Sequence, residues 1–203
     1  MAKKNNKTLW IRLGIIGAVL LLLIFTTISL YNGLITTDET VDEKWANVQT
    51  AYQRRADLIP NLVDTVQAAV KFEQETHTQI AAVRTGAVAA QQAMKSAKTP
   101  AEISAASKQV ESAIAGFSSL NINVEQYPDL KATENFLSLQ DELAGTENRI
   151  KVERDIFNKA VKNYNLKVRR FPSNMIAGMF EFEKKEMFEA EEGTSIAPTN
   201  LFD

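Results

Sequence analysis

Residues 13 to 37 carry no charge, and the stretch LGIIGAVLLLLIFTTISLY within them is long and apolar enough to cross a bilayer core of about 30 Å. A transmembrane helix over residues 13–35 is the strongest constraint this chain places on its own fold. Trp10 and Tyr31 stand 21 residues apart, about 31 Å on a helix, the separation of the two aromatic belts of a membrane. Lys3, Lys4, Lys7 and Arg12 precede the run, and every Asp and Glu falls at Asp38 or later. That asymmetry predicts a basic cytoplasmic N-terminus over residues 1–12 and everything after Tyr31 on the far side. The run exceeds the apolar core of a signal peptide and no A-x-A site follows it, so it reads as a retained anchor. Gly14 and Ala18 form a small-xxx-small pair suited to helix association.

The 203 residues are 45% hydrophobic, enough for one cored domain with appendages. No cysteine and one histidine exclude disulfides, thiolate metal sites and cysteine nucleophiles, so packing alone must hold the fold. From residue 13 onward there are 19 basic and 25 acidic residues, a poor surface for phosphate contacts, and no nucleic-acid partner is expected.

Past the apolar run the pattern is helical. Steps of four and three from Val41 give Trp45, Val48, Tyr52, Arg55, Ile59, Leu62, Val66, Ala69, Glu73, Thr76, Ile80, Val83, Ala87, Ala90 and Met94. A seam this long predicts one helix over about 40–98, rising about 90 Å, with coiled-coil-like packing. Thr99, Pro100 and Glu102 then supply an N-cap, a first-turn proline and a capping-box glutamate for a helix over 100–121. Tyr127 and Pro128 break the pattern and open a third helix over 129–169, with a second seam from Ala132 to Tyr164 in which Glu153 is the one charge. Pro172 closes it. A last amphipathic helix is expected over 173–188, bearing Met175, Ile176, Met179, Phe180, Phe182, Met187 and Phe188, before an acidic tail over 189–203.

The blocks YQRRADLIPNLVDTV, YPDLKATENFLSLQDELAGTENRI and RDIFNKAVKNYN, following an N-terminal membrane helix, resemble the LemA family over about residue 31 to the end. The resemblance implies a membrane-anchored bacterial protein with a four-helix soluble part, in a family with a branch that takes part in forming magnetosome membranes. The tail is more acidic and sparser in proline than that pattern. The expected architecture is therefore all-α: a single-pass anchor in the bacterial cytoplasmic (inner) membrane, followed over residues 38–188 by an elongated antiparallel four-helix bundle on the extracytoplasmic side.

If the first and third helices pair with residue 40 level with 168, Arg55 faces Glu153 as a register-setting ion pair; the alternative is that both side chains reach water from the seam edge. Pro60 is expected to kink or restart its helix, with Asp57 capping the restart. The second and third helices either run end to end or reverse. In the first case the Met and Phe side chains of 173–188 lie at the membrane, and in the second they lie in the bundle core. Glu73 and His77 share a face, but one histidine cannot furnish the two Glu-x-x-His motifs of a di-iron bundle, and no nucleotide or hydrolase fingerprint is present. Neither a cofactor nor an enzymatic activity is expected. The expected function is a scaffold that self-associates on its lipid bilayer and organises the envelope membrane, with the Ala-rich segment 81–94 permitting close approach of copies. The alternative is an adaptor or sensor that binds another envelope membrane protein, a protease or signalling partner, through its tip or tail.

Overall fold

The computed structural model describes residues 5–69, 74–118 and 134–189. Five helices occur among them: α1 Asn5–Ala69, α2 Gln74–Ser96, α3 Pro100–Ser118, α4 Glu134–Arg169 and α5 Ser173–Met179. The break expected at Tyr127 and Pro128 and the tail beyond 189 lie outside the described residues. The chain divides into two compact units, Glu43–Asn158 with Glu186–Asp203 and Met1–Asp42 with Lys159–Lys185, and α1 and α4 contribute to both.

In the first of these units, α2 runs back along α1. Arg84 of α2 pairs with Asp64 (3.3 Å), Gln91 Nε2 donates to Asp57 (2.6 Å), and Gln49 Nε2 donates to the Ala97 carbonyl (3.2 Å). The single helix expected over 40–98 is thus a helical hairpin. A four-three apolar seam reads the same along one long helix and along two helices whose faces meet, so the pattern did not register the reversal. Glu73, one of the seam's polar interruptions, lies outside the described residues, and Thr76 falls in the first turn of α2.

α3 returns along α2 after three residues, and a Cβ at Gly116 would meet Val83 at 3.5 Å. Its start follows the expected cap with one shift. The Glu102 amide donates to Thr99 Oγ1 (3.2 Å), while the Glu102 carboxylate accepts from the amide of Lys98, one residue before the N-cap (2.6 Å). α4 then runs antiparallel to α1, with Trp45 5.4 Å from Phe157 and Arg54 bound to Glu142. Since α1 and α3 share a direction and α4 opposes both, the bundle alternates up and down; the chain reverses between the second and third expected helices. The core is the apolar stripe of each helix, including Val48, Tyr52, Ile59, Val63 and Val66 from α1, Ile80 and Ala87 from α2, Ile103, Val110 and Phe117 from α3, and Phe136, Leu143, Ile150 and Phe157 from α4.

In the other unit α5 packs Ile176 and Ala177 on Leu34, with Leu30, Tyr31, Val168 and Phe182 around them. The helix expected over 173–188 stops at Met179. Glu181 takes a left-handed conformation (φ 59°), and the Phe182 amide reaches back to the Ala177 carbonyl (2.9 Å), closing the helix as glycine usually does. Residues 182–189 continue as a non-helical strap. A side chain in the left-handed region costs about 1 kcal/mol, partly offset by the entropy glycine loses on folding. Glu181→Gly is therefore expected to raise stability slightly, by about 0.5 kcal/mol, read as a higher urea midpoint. A lower midpoint would show that the Glu181 side chain itself holds the turn.

Candidate functional site

YQRRADLIPNLVDTV lies inside α1. Tyr52, Ala56, Ile59, Leu62, Val63 and Val66 face the core, while Gln53, Arg54, Asp57, Asn61 and Asp64 follow one another at helical spacing along the opposite stripe. That stripe joins α1 to both neighbours: Arg54 to Glu142 of α4, Asp57 to Gln91 of α2, and Asp64 to Arg84 of α2. Asp57 also accepts from Gln53 (2.8 Å), so its carboxylate is a tie between helices and caps nothing. α1 continues unbroken through Pro60 to Ala69, without the restart expected there. Between α1, α2 and α4 the stripe lines an open groove of about 720 Å³, floored by Leu58, Met94 and Leu139.

Arg55 and Glu153 are both half-buried, and no ion pair joins them among the described residues; Arg55 Nε is buried without a hydrogen-bond partner. The reason is register. With Trp45 against Phe157 and Arg54 against Glu142, the level of Arg55 on α4 falls about two turns or more short of Glu153. The interhelical ion pair uses the neighbouring arginine.

The strap is held by asparagines the sequence reading passed over. Asn158 binds both backbone groups of Phe188, its amide donating to the carbonyl (3.0 Å) and its oxygen accepting from the amide (2.9 Å). The Phe188 ring is thereby lodged among Trp45 (6.0 Å), Tyr52 (6.3 Å) and Phe157 (5.6 Å), under the Arg154 guanidinium (5.0 Å). Met187, by contrast, is exposed. In the other unit Asn165 binds both backbone groups of Lys185 in the same way (2.9 and 3.0 Å).

Lys185 extends its ammonium between Asp38 and Asp42, one turn apart on α1, with Nζ 2.6 Å from each carboxylate and 5.5 Å above the Tyr164 ring. Burial lowers the Lys185 pKa, but its bonds to Asp38 and Asp42 and their charges outweigh that and leave it above the ordinary lysine value. Burial first, then Asp38, raises the Tyr164 phenol. Both groups hold protons more tightly folded than unfolded. Their contribution is complete at neutral pH and is lost as pH climbs through the raised pKa values. Lys185→Met should flatten the alkaline limb of the stability profile, measured as urea midpoint against pH from neutrality upward; an unchanged limb would exclude Lys185 as its source.

Outside both clusters, α1 is the one described helix long and apolar enough to cross a membrane. Its side chains between Leu9 and Ile28 are mostly bare, Leu20 at 53% and Phe25 at 76% exposure. Trp10 is exposed at 71% near the start of that stretch. Tyr31 is half-buried, its ring 4.8 Å from Phe180 and 5.9 Å from Phe182. The Glu73–His77 pair lies outside the described side chains.

A bare apolar helix leading into an up-and-down bundle of four helices defines a membrane-associated helical-bundle protein. The model of the LemA family matches residues 44–202, and the chain belongs to that family. It is 28% identical to magnetosome protein MamQ 2 of Paramagnetospirillum magneticum (88% of this chain, 72% of that one) and 29% identical to magnetosome protein MamQ of Magnetospirillum gryphiswaldense (84% and 70%). It is 24% identical to protein LemA of Metamycoplasma hominis (83% and 73%).

Proposed function

We propose that the chain is a non-enzymatic scaffold of the bacterial cytoplasmic membrane: a single-pass anchor with its N-terminus in the cytoplasm, whose helical domain self-associates and organises the membrane from the extracytoplasmic side. The observation that carries this reading is the continuity of α1, in which one helix, Asn5–Ala69, supplies both the apolar span and the first helix of the bundle. Relatives named as magnetosome proteins support a role in membrane organisation. Self-association draws on α2, where Ala82, Gly86 and Ala89 lie exposed at helical spacing beside Val88. Small residues in that pattern permit close backbone approach, and nothing lies within 4 Å of a Cβ built on Gly86.

The chain lacks cysteine, so single introduced thiols report cleanly. Ser195→Cys should react with an impermeant maleimide from outside the inner membrane, and Val88→Cys should form disulfide-linked dimers under mild oxidation in the membrane. Labelling of residue 195 only after lysis would reverse the topology, and absence of dimers at 88 would remove α2 from the assembly contact.

A further inference from the structure

The seven residues of α5, SNMIAGM, have apolar groups on both faces. One face is spent on α1, where Ile176 and Ala177 close over Leu34. The other bears Met175 and Met179, one turn apart and 63% and 71% exposed, flanked by Phe171 at 75% and Phe180 at 49%. A short helix with apolar side chains on two faces, one of them uncovered, has no reason to turn that face to water.

Its height on α1 identifies what covers it. From Leu9 to Ile28 α1 rises about 29 Å, close to the thickness of a hydrocarbon core. The residues α5 touches, Leu30, Tyr31 and Leu34, come in the next two turns, at the level of the headgroups, so its bare face continues the bare surface of the span. Charge agrees. Between Asp155 and Glu181 there are five basic residues and no acidic one, and Arg169 and Arg170, exposed, stand immediately before Phe171. Lys167 is engaged with the Gly33 carbonyl (2.9 Å), which pins the end of α4 against α1 at this height.

We propose that α5 and the turn before it are an interfacial foot: Phe171, Met175 and Met179 enter the boundary of the acyl chains, and Arg169 and Arg170 bind the phosphates of anionic phospholipid headgroups. The foot rests on the reading of α1 as a membrane anchor, and it adds a second, lipid-selective contact that fixes how the chain emerges from the bilayer.

The test uses full-length protein reconstituted in vesicles of phosphatidylcholine, with and without phosphatidylglycerol, carrying a nitroxide at Met175→Cys or Met179→Cys. Ile16→Cys in the span and Lys151→Cys on α4 serve as references. Oxygen partitions into lipid and a nickel chelate stays in water, so relaxation by each reports depth. Labels at 175 and 179 should show an oxygen-to-nickel ratio severalfold above that at 151, rising further with phosphatidylglycerol. Arg169→Gln with Arg170→Gln should remove that further rise. A water-like ratio at 175 and 179 with a lipid-like one at 16 would overturn the foot and leave the anchor standing; a water-like ratio at 16 would overturn the anchor itself. Shielding of 175 and 179 from both reagents would assign the face to a protein contact and overturn the proposal. Insensitivity to phosphatidylglycerol would overturn the headgroup assignment.

Discussion

Arginine placed at both Leu20 and Ile24 is expected to release the chain from the membrane. Each arginine near the middle of a span raises the cost of insertion by about 2.5–3.5 kcal/mol, so the pair adds about 5–7 kcal/mol. The flanking residues offer no relief. Leu20 and Ile24 lie one turn apart on a helix whose neighbouring side chains are bare, and no carboxylate precedes Asp38. The substituted chain should leave the carbonate-resistant membrane fraction. Retention of both arginines in that fraction would mean that the span is not held in hydrocarbon.

The second large effect is expected at Phe188, which is 4% exposed in the aromatic nest of Trp45, Tyr52 and Phe157. Truncating a buried phenylalanine removes its transfer free energy and leaves a cavity, together about 3–5 kcal/mol. Phe188→Ala should also free the strap from Asn158, whose two hydrogen bonds to residue 188 need the ring seated. The signature is a lower urea midpoint with Trp45 emission shifted to the red, joined by early proteolysis between residues 182 and 189. Phe188→Leu should restore most of the midpoint. Equal midpoints for wild type and Phe188→Ala would show that the strap only rests on the bundle.

Much of this was legible in the residues. The long apolar helix, the cap at Thr99, the end of α4 before Pro172 and most of the seam positions followed from charge distribution, helical spacing and the chemistry of proline, whereas Leu34, Ala56, Val63 and Val161 are buried off the seams. The reversal between α1 and α2 did not, because no Gly or Pro marks it and the apolar seam keeps its step across it. The strap was hidden for a different reason. Met and Phe at 175, 176, 179 and 180 fit a helix, and Phe182, Met187 and Phe188 can be placed on the same helix; the stop is a left-handed glutamate, which leaves no compositional trace.

At the candidate site, spacing held more than was taken from it. Asp38 and Asp42 are four apart on a helix, which puts two carboxylates on one face and calls for a cation, supplied by Lys185. Asn158 and Asn165 are seven apart on α4, again one face, and asparagine is the side chain able to bind an amide and a carbonyl of the same residue. The pairing of Arg55 with Glu153 went astray because the register was counted from an assumed start at residue 40. Trp45 against Phe157 and Arg54 against Glu142 set the register instead, and it puts Glu153 about two turns or more from the level of Arg55.

The central claim is that copies of this chain assemble. The most direct measurement is the mass and shape of the full-length protein, extracted in mild detergent and imaged as unlabelled particles by electron microscopy. The scaffold reading predicts closed, symmetric multimers whose symmetry survives dilution and is lost on placing a bulky residue at Gly86. Uniform monomers across the same concentrations would contradict it.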